Sequence, residues 1–355
     1  MEQLGYGDVD ICDQRSRIPL GVRPILDVWM RDPHICIGRD GAYYLSGTTR
    51  SPRRLPNTAW VWNDGVRLWR SPDLTDWEEL GLVWSLDDGP AWLSGFRVHD
   101  PDDPRCVPPD EFWQRPPAPG ATVQRALWAP KVHYSPRLDN YFIVGCTNTN
   151  MGLPPERWIG GLFGGTFVLR SRSGEPRGPY ELTTARPLTN CIDAKLFEDS
   201  ADLYFIWQDG RIARISDTMD ALSEVQWVWQ TAFDPEPVKE GVHLFKHDRL
   251  YHLVTTIWSW QVEGRITYRH RGHGGPSAYS YDAVVASSPH IAGPYGPRYT
   301  SLIGGGHGNH FQDRDGNWWA CVFIDPRDRA AERLGFSQRP ALVPMAWRDG
   351  RIYPA

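Results

Sequence analysis

One pattern recurs five times along the 355-residue chain and constrains its fold more than any other feature. Each copy consists of an apolar strand, a tight polar turn and a second strand rich in aromatic residues. The five turns are Asp40-Gly41, Leu138-Asp139-Asn140, Asp199-Ser200, His247-Asp248 and Asp315-Gly316. Turns of this kind between apolar runs are typical of β-hairpins. The pattern therefore predicts five antiparallel hairpins.

After most of the hairpins comes a third strand that ends in Ser-Pro or Gly-Pro-Tyr. Units of three or four antiparallel strands repeated around a ring are the blades of a β-propeller. We therefore predict an all-β, five-bladed β-propeller as a single domain over residues 1–355, with residues 1–26 as an N-terminal segment that closes the ring. Segments 339–344 and 351–353 either complete the last blade or close the ring with the N-terminus. A two-sheet sandwich is the alternative, but it does not require the fivefold recurrence.

The composition agrees with many short strands and excludes some partners. The 18 Trp, 14 Tyr and 12 Phe, together with 34 Gly and 31 Pro, favour strands joined by tight turns over long helices. A net charge of −5 without a long run of Lys or Arg offers no surface for nucleic acid or an anionic membrane. The longest apolar stretch, residues 318–324, is too short to span a bilayer.

The cysteines and the first residues bear on the compartment. The six Cys lie far apart and form no C-x-x-C pair, so we expect free thiols and neither a disulfide framework nor a zinc site. The first twenty residues contain several charges and no apolar leader segment, which predicts a cytoplasmic protein. A chain from which a leader had been removed would look the same and would be periplasmic or secreted.

Polar or aromatic residues recur shortly before the hairpin turn in each repeat. They are Asp32, Trp128, Asp193, Glu240 and His307. Because the first strands of all blades line the channel and run in the same direction, residues at this position should surround one end of it. Each carboxylate alone would be an ordinary turn residue. Together they provide the ionised base and the protonated acid that cleavage of a glycosidic bond requires.

The same stretches carry a family resemblance. The runs RDPHI, WAPKVHY, IDAKLFED, EGVHLFKHDRLYHL and GGHGNHFQDRDGNWW, in this order, resemble glycoside hydrolase family 43 and its wider clan of five-bladed propeller glycosidases. The resemblance covers about residues 27–353.

The resemblance implies a role for each member of the set. Asp32 would be the general base, Glu240 the general acid, and Asp193 the residue that orients the acid and tunes its pKa, in a reaction that inverts the anomeric carbon. Trp128 would line the sugar site. His307 would match a channel histidine that lies beside a bound calcium ion or a water molecule. No cofactor would be needed for the chemistry.

Two further residues are expected at the substrate. The non-repetitive segment Trp258–Ser280 leaves the fourth hairpin directly after the strand that begins at Glu240, so it could fold over the channel mouth and bring Trp260 to the sugar. A surface loop is the alternative. His243, two residues beyond Gly241, is the second candidate. A second insert, residues 87–124, is rich in proline.

These observations predict an exo-acting, inverting glycoside hydrolase for oligosaccharides derived from plant or algal polysaccharides. Arabinofuranosidase, xylosidase and galactosidase activities remain open. One alternative is a propeller that binds carbohydrate without turning it over. Another is a related propeller glycosidase in which His243 or His307 is the proton donor.

Overall fold

A computed structural model describes most of the chain. The described residues are 14–50, 63–90, 126–147, 165–189, 191–208, 210–228, 240–262, 265–268, 279–324 and 338–355. Over these ranges the chain forms five antiparallel β-sheets and two short 3₁₀ helices, Gln14–Ser16 and Leu86–Asp88. No helix in this part of the chain is long and apolar enough to cross a membrane.

Each sheet is one blade, built from a continuous stretch of sequence. Blade 1 contains β1 Met30–Ile37, β2 Tyr43–Thr49, β3 Gly65–Ser71 and β4 Glu78–Ser85. Blade 2 contains β5 Leu127–Ser135, β6 Asn140–Thr147, β7 Gly165–Ser171 and β8 Tyr180–Leu182. Blade 3 contains β9 Lys195–Asp199, β10 Asp202–Trp207, β11 Arg211–Arg214 and β12 Gln226–Trp227.

Blades 4 and 5 complete the fold. Blade 4 contains β13 Glu240–His247, β14 Leu250–Val262, β15 Arg265–Tyr268, β16 Tyr279–Ser288 and β17 Tyr299–Leu302. In this blade β15 pairs with the far end of β14, on the edge opposite to β16. Blade 5 contains β18 Asn309–Gln312, β19 Trp318–Ile324, β20 Arg339–Arg348 and β21 Arg351–Pro354. The C-terminal segments therefore complete the last blade.

The five predicted hairpins are confirmed. They join β1 to β2, β5 to β6, β9 to β10, β13 to β14 and β18 to β19, all antiparallel. Each turn contains a residue in the left-handed backbone region, namely Gly41, Asp139, Ser200, Asp248 or Gly316. Because Gly, Asp and Asn tolerate this conformation better than other residues, the turn composition specifies the hairpins locally.

The blades form a closed ring around their first strands. Neighbouring first strands contact one another in the order β1, β5, β9, β13, β18 and back to β1. A buried apolar cluster fills each of the five interfaces between blades. Between blades 1 and 2, for example, Leu68 and Trp84 pack with Ile143 and Phe167. The hydrophobic core is therefore distributed around the ring, and the first strands are free to carry polar side chains into the channel.

The seam between blades 5 and 1 is closed by hydrogen bonds. The side chain of Asn309 accepts from the Ile35 amide at 2.9 Å and donates to the Ile35 carbonyl at 3.0 Å. Just before β1, the Ile25 amide donates to the Pro340 carbonyl, and at the start of β1 the Met30 amide donates to the Gln338 carbonyl. Blade 1 is thus tied to blade 5 without sharing a strand with it.

The described cysteines agree with the sequence. Cys36, Cys146, Cys191 and Cys321 are free thiols, while Cys12 and Cys106 lie outside the described residues. Burial raises the pKa of the Cys36 thiol to about 12, so this group stays protonated. The prediction of buried free thiols is confirmed for Cys146 and Cys321.

Candidate active site

Every blade has a residue in the left-handed backbone region at the entrance to its first strand. These residues are Asp32, Ala129, Asp193, Gly241 and His307, with φ between 45° and 62°. In three blades the ladder with the second strand shifts register at this point. Left-handed residues cost conformational energy unless they are Gly, Asn or Asp, so their recurrence indicates a position that the fold maintains. Trp128 and Glu240 stand one residue earlier.

His307 lies between two aspartates from other blades. Its Nδ1 is 3.0 Å from Oδ1 of Asp32, and its Nε2 is 2.9 Å from Oδ2 of Asp193. All three side chains are buried. The ring therefore joins blades 1, 3 and 5 at one end of the channel. We call Asp32, Asp193 and His307 the buried triad.

The buried triad is charged. Burial alone would lower the pKa of His307, but attraction to Asp193 and Asp32 raises it to about 10. Burial alone would raise the pKa of Asp32, but attraction to the His307 imidazolium and to Arg31, with a hydrogen bond from Thr48, lowers it to about 2. The pKa of Asp193 is also lowered, because attraction to His307 and Lys131 outweighs burial. At neutral pH the triad is an imidazolium between two carboxylates.

Hydroxyl groups and main-chain amides hold the triad in place. The Thr48 hydroxyl donates to Oδ2 of Asp32 at 2.6 Å and accepts from the Ala129 amide at 2.8 Å. In blade 4, Oγ1 of Thr256 accepts from the His307 amide at 2.6 Å. The two threonines perform the same task, since each binds the amide of the left-handed residue in the next blade.

Glu240 stands beside the triad and is half-buried. Its carboxylate lies within 4.8 Å of the ligand atoms of Asp193 and His307. The next amide, that of Gly241, donates to Oδ2 of Asp193 at 3.2 Å. A Cβ at Gly241 would lie 2.7 Å from Oγ1 of Thr256 and 2.8 Å from the His307 ring, which explains why glycine follows the glutamate. One carboxyl group is therefore accessible next to two that are enclosed.

Aromatic and basic side chains also contact the buried triad. The Tyr281 ring stacks on the His307 ring, with centroids 5.9 Å apart and planes 11° apart. The Arg31 guanidinium lies 4.7 Å from the centroid of Phe323, and its Nε is 3.9 Å from Oδ1 of Asp32. These contacts fix the imidazole plane and place a second cation beside Asp32.

The remaining predicted site residues are Trp128, His243 and Trp260. Trp128 is buried and packs with Ala126, Cys146 and Ile192. His243 is buried between blades 4 and 5, where its Nε2 accepts the His310 amide at 3.0 Å, and the space beside it is too narrow for a water molecule. Trp260 lies on β14, but its side chain is outside the described residues. The structure thus brings together the three acids and His307, and does not bring His243 to them.

The insert that contains Trp260 begins and ends as part of blade 4. Glu240 pairs with Thr256 on β14, and β14 continues six residues further, to Val262. Over this extension β14 pairs with β15 and with the start of β16. The strands therefore rise past the level of Glu240 on one side of the channel. The Pro-rich insert lies outside the described residues from residue 91 onwards.

A metal ion does not fit this arrangement through His307. Asp193, Glu240 and His307 each bring one possible ligand atom within 4.8 Å of the others. However, both ring nitrogens of His307 face aspartate oxygens at about hydrogen-bond distance, and its pKa of about 10 keeps both protonated. A protonated imidazole has no lone pair for a cation. The sequence expectation of a calcium ion beside His307 finds no support in this geometry.

Sequence reasoning missed several groups of the site. Thr48, Arg31 and Tyr281 contact the triad, yet none stands at the recurring position before a hairpin turn. Arg31 is the neighbour of Asp32 in sequence and could have been suggested by adjacency. Thr48 and Tyr281 come from the second and third strands, and no pattern in the sequence indicates that they face the channel.

A closed ring of five blades with converging carboxylates at one end defines a propeller of the glycosidase type. The chain belongs to glycosyl hydrolases family 43, whose sequence model matches residues 110–352. Asp193, Glu240 and His307 lie within this match. Asp32 precedes it and joins the site through its contact with His307.

Individual relatives are distant. A β-D-galactofuranosidase of Aspergillus niger is 23% identical over 259 residues, which cover 63% of this chain and 66% of that protein. The family 43 protein BlXynB of Bacillus licheniformis has a TM-score of 0.61 at 19% identity, with 94% of this chain and 56% of that one covered. An endo-1,4-β-xylanase of Bacteroides thetaiotaomicron has a TM-score of 0.59 at 18% identity, with 94% and 97% covered. At these identities the structures show a shared fold.

Proposed function

We propose that the chain is an inverting glycoside hydrolase that removes terminal residues from oligosaccharides with arabinofuranose, xylose or galactofuranose ends. The observation that carries the proposal is the set of three carboxyl groups around the buried His307, with one of the three accessible. A structural site has no reason to gather three acids at a channel mouth, whereas glycoside hydrolysis needs an acid and a base on opposite sides of the sugar.

Glu240 is the proposed general acid. It is half-buried and adjoins the ionised Asp193. It is the accessible carboxyl group of the three, and a general acid must lie within reach of the leaving oxygen to donate a proton to it. The Gly241 amide binds Asp193, so the same contact fixes the start of β13 and the position of Glu240.

Asp32 is the proposed general base. It belongs to a different blade from Glu240 and lies across His307 from Asp193, and inversion needs room for a water molecule between base and acid. Its low pKa keeps it ionised over the whole working range. His307 is a positioning residue in this scheme, because each of its nitrogens already faces an aspartate. It is therefore not the acid that we propose.

Exo action is supported by the extension of blade 4. The β14–β16 ladder continues past the level of Glu240 and adds β15 at its side. A wall on one side of the channel mouth admits the end of a chain more readily than its middle. The similarity to a β-D-galactofuranosidase supports furanose ends among the candidates.

The proposal is tested by turnover and product analysis. The 4-nitrophenyl glycosides of α-L-arabinofuranose, β-D-xylopyranose and β-D-galactofuranose are incubated with the protein, and the first product anomer is identified by proton NMR. We expect one of them to be cleaved with inversion. Arabinan and xylan oligosaccharides should yield monosaccharide as the first product, since release of longer fragments would contradict exo action.

Glu240→Gln should lower turnover by about a hundredfold or more, because a general acid typically contributes 10²–10⁴. Glu181→Gln is the matched control, since Glu181 is an exposed acid on β8 paired with Arg172. Its turnover should equal that of the unaltered protein. Retention of configuration, or equal activity of the two variants, would refute the role of Glu240. Sugar binding without any turnover would identify a binding propeller instead.

A further inference from the structure

The proposed general base stands at a β-bulge in blade 1. The ladder between β1 and β2 shifts register after Arg31, so Asp32 and Pro33 lie opposite Gly47. Proline has no N–H to donate to the ladder and is therefore compatible with a bulge. A Cβ at Gly47 would lie 2.7 Å from the Arg31 carbonyl oxygen, so the bulge requires glycine opposite it. This arrangement brings the Asp32 carboxylate beside Thr48.

The two hydrogen bonds of the Thr48 hydroxyl have only one possible direction. Its oxygen lies 2.6 Å from Oδ2 of Asp32 and 2.8 Å from the main-chain nitrogen of Ala129. An amide nitrogen only donates, so the Thr48 oxygen accepts from Ala129. The single hydroxyl hydrogen is then directed to Asp32. The pair of bonds is therefore satisfied only while Oδ2 of Asp32 carries no proton, which is the state that a general base needs.

Both oxygens of the Asp32 carboxylate are bound. Oδ1 lies 3.0 Å from Nδ1 of His307, and Oδ2 accepts the Thr48 hydroxyl. Two donors on different oxygens prevent the carboxylate from turning about its bond to Cβ. A carboxylate oxygen can accept two hydrogen bonds, so each oxygen keeps a lone pair for water or a substrate hydroxyl. Thr48 and His307 together determine how these lone pairs are directed.

Blade 2 contributes no acid to the site, yet it fixes Thr48. The ladder between β5 and β6 shifts register between Trp128 and Lys131, and Ala129 lies inside this shift with a φ of 45°. The Ala129 amide is directed to Thr48 on the neighbouring blade. The orientation of Asp32 therefore depends on the seam between blades 1 and 2.

Ser46 makes a similar bond across the same seam. It stands on β2 two residues before Thr48, and its hydroxyl accepts from the Val132 amide at 3.0 Å. Both side chains are buried, and both link β2 to β5. Thr48 additionally donates to Asp32. The two residues therefore allow the contribution to the seam to be separated from the contribution to the base.

We infer that Thr48 is a positioning residue for the general base, a role that rests on the function proposed above for Asp32. A bond of 2.6 Å from a hydroxyl to a carboxylate is of the strong, charge-assisted kind. Displacing a reacting group by about 1 Å can cost about 10² in rate. Because Thr48 is buried and acts through the base, its loss should lower kcat and leave KM unchanged.

Three variants test this role by steady-state kinetics on the cleaved aryl glycoside. Thr48→Val removes the hydroxyl and keeps the shape of the side chain, and it should lower kcat by about 10- to 100-fold with KM within about twofold. Thr48→Ser keeps the hydroxyl and should retain kcat within about threefold. Ser46→Ala is the matched control. It also leaves a buried amide without its acceptor, so it should lower the melting temperature by an amount similar to Thr48→Val but keep kcat within about threefold.

Equal losses of kcat in Thr48→Val and Ser46→Ala would overturn the inference, because the seam alone would then explain them. A loss in Thr48→Ser as large as that in Thr48→Val would also overturn it. An increase in KM at constant kcat would show that Thr48 serves substrate binding instead of the base.

Combination with Asp32→Asn separates the two proposals. When Thr48→Val is added to Asp32→Asn, the residual turnover should fall by less than about twofold, since residues that act through one another are not additive. A full further loss would show that Thr48 acts independently of Asp32. If Asp32→Asn is inactive and Thr48→Val is fully active, only the positioning role is wrong. If Asp32→Asn keeps its turnover, the proposed base is wrong and Thr48 has no base to position.

Thr48→Cys covers the case in which Thr48→Val does not fold. A thiol is a weak donor of similar size, so it should support Asp32 less well than a hydroxyl. We expect a kcat at least about threefold below that of Thr48→Ser, at the same KM. Equal kcat values of the Cys and Ser variants would overturn the inference.

Discussion

His307 and His310 are three residues apart, and both are buried, yet their environments shift their pKa values in opposite directions. Burial would lower both. Two aspartates facing His307 raise its pKa to about 10, whereas burial, with Lys195 nearby, lowers that of His310 to about 3. The comparison teaches that the sign of the neighbouring charges decides the protonation state of a channel histidine. The buried triad is therefore ionised, whereas the imidazole of His310 is neutral.

The largest expected effect comes from removing a charge of the buried triad that also takes part in the proposed reaction. Asp32→Asn should lower turnover by about a thousandfold, within the range of 10²–10⁴ that a general base contributes. Asp199→Asn is the control, because Asp199 is an acid at the hairpin end of blade 3 that pairs with Lys246. Steady-state kinetics on the cleaved aryl glycoside measures both. Turnover of Asp32→Asn within tenfold of the unaltered protein would remove Asp32 from the mechanism.

Replacing the two histidines tests the comparison itself. His307→Gln leaves Asp32 and Asp193 buried without their shared cation, and breaking a buried ion pair costs about 3–5 kcal/mol. We expect a lower melting temperature and a turnover reduced by about a hundredfold. His310→Gln removes no charge and should change turnover by less than about threefold, as expected of a side chain outside the reaction. Equal losses in both variants would show that packing, and not charge, is the function of His307.

Gly241→Ala should have an intermediate effect. It adds backbone strain of about 1–3 kcal/mol at a φ of 60° and pushes a methyl group against the His307 ring. Gly81→Ala is matched to it, because Gly81 has a φ of 87° with no atom within 4 Å of an added Cβ. Both variants should melt earlier, but only Gly241→Ala should lose turnover, by about tenfold, since a displaced positioning group typically costs up to 10². Full activity of Gly241→Ala would separate the His307 contact from catalysis.

A moderate change of pH should have the smallest effect. The pKa of His307, about 10, lies above its unfolded value of 6.5, so its contribution to stability is complete below pH 6.5 and declines as the pH rises through 10. The pKa of Asp32, about 2, lies below its unfolded value of 3.8, so its contribution is complete above that value and is lost as the pH falls through 2.

Between about pH 4.5 and 6.5 the triad should therefore leave the melting temperature unchanged. Above this range its contribution should decrease. NMR should show His307 protonated and His310 neutral across the interval. A His307 resonance that titrates near pH 6.5 would contradict the charged state of the buried triad. A His310 resonance that titrates there would contradict the neutral state of that imidazole.

Much of the fold could be predicted because its signals are local. A turn such as Asp40-Gly41 and the alternation on either side of it specify a hairpin without reference to the rest of the chain. Five such signals then specify a ring. The extension of blade 4 to Val262 could not be predicted in the same way. The segment around Trp260 does not show a turn signal together with a clear alternation of apolar and polar residues.

The candidate site was predicted as a set of positions and not as a set of contacts. A shared offset before the turn placed Asp32, Asp193 and His307 at one end of the channel. It could not show that the His307 ring lies between the two aspartates, because that depends on the left-handed backbone and on tertiary packing. His243 illustrates the same limit. Two residues after Gly241, its side chain already faces the space between blades 4 and 5.

The seam between blades 5 and 1 has a consequence for how such a chain can be rearranged. Every blade is encoded by one uninterrupted stretch, and the ring is closed by Asn309 and a few main-chain bonds, with no strand exchanged between the ends. Arg15 stacks on the Tyr353 ring at 4.6 Å, so both ends of the described chain meet on blade 5. A circular permutant cut between two blades would therefore keep all five sheets intact. For the same reason, a whole blade could be exchanged between relatives as one continuous segment of sequence.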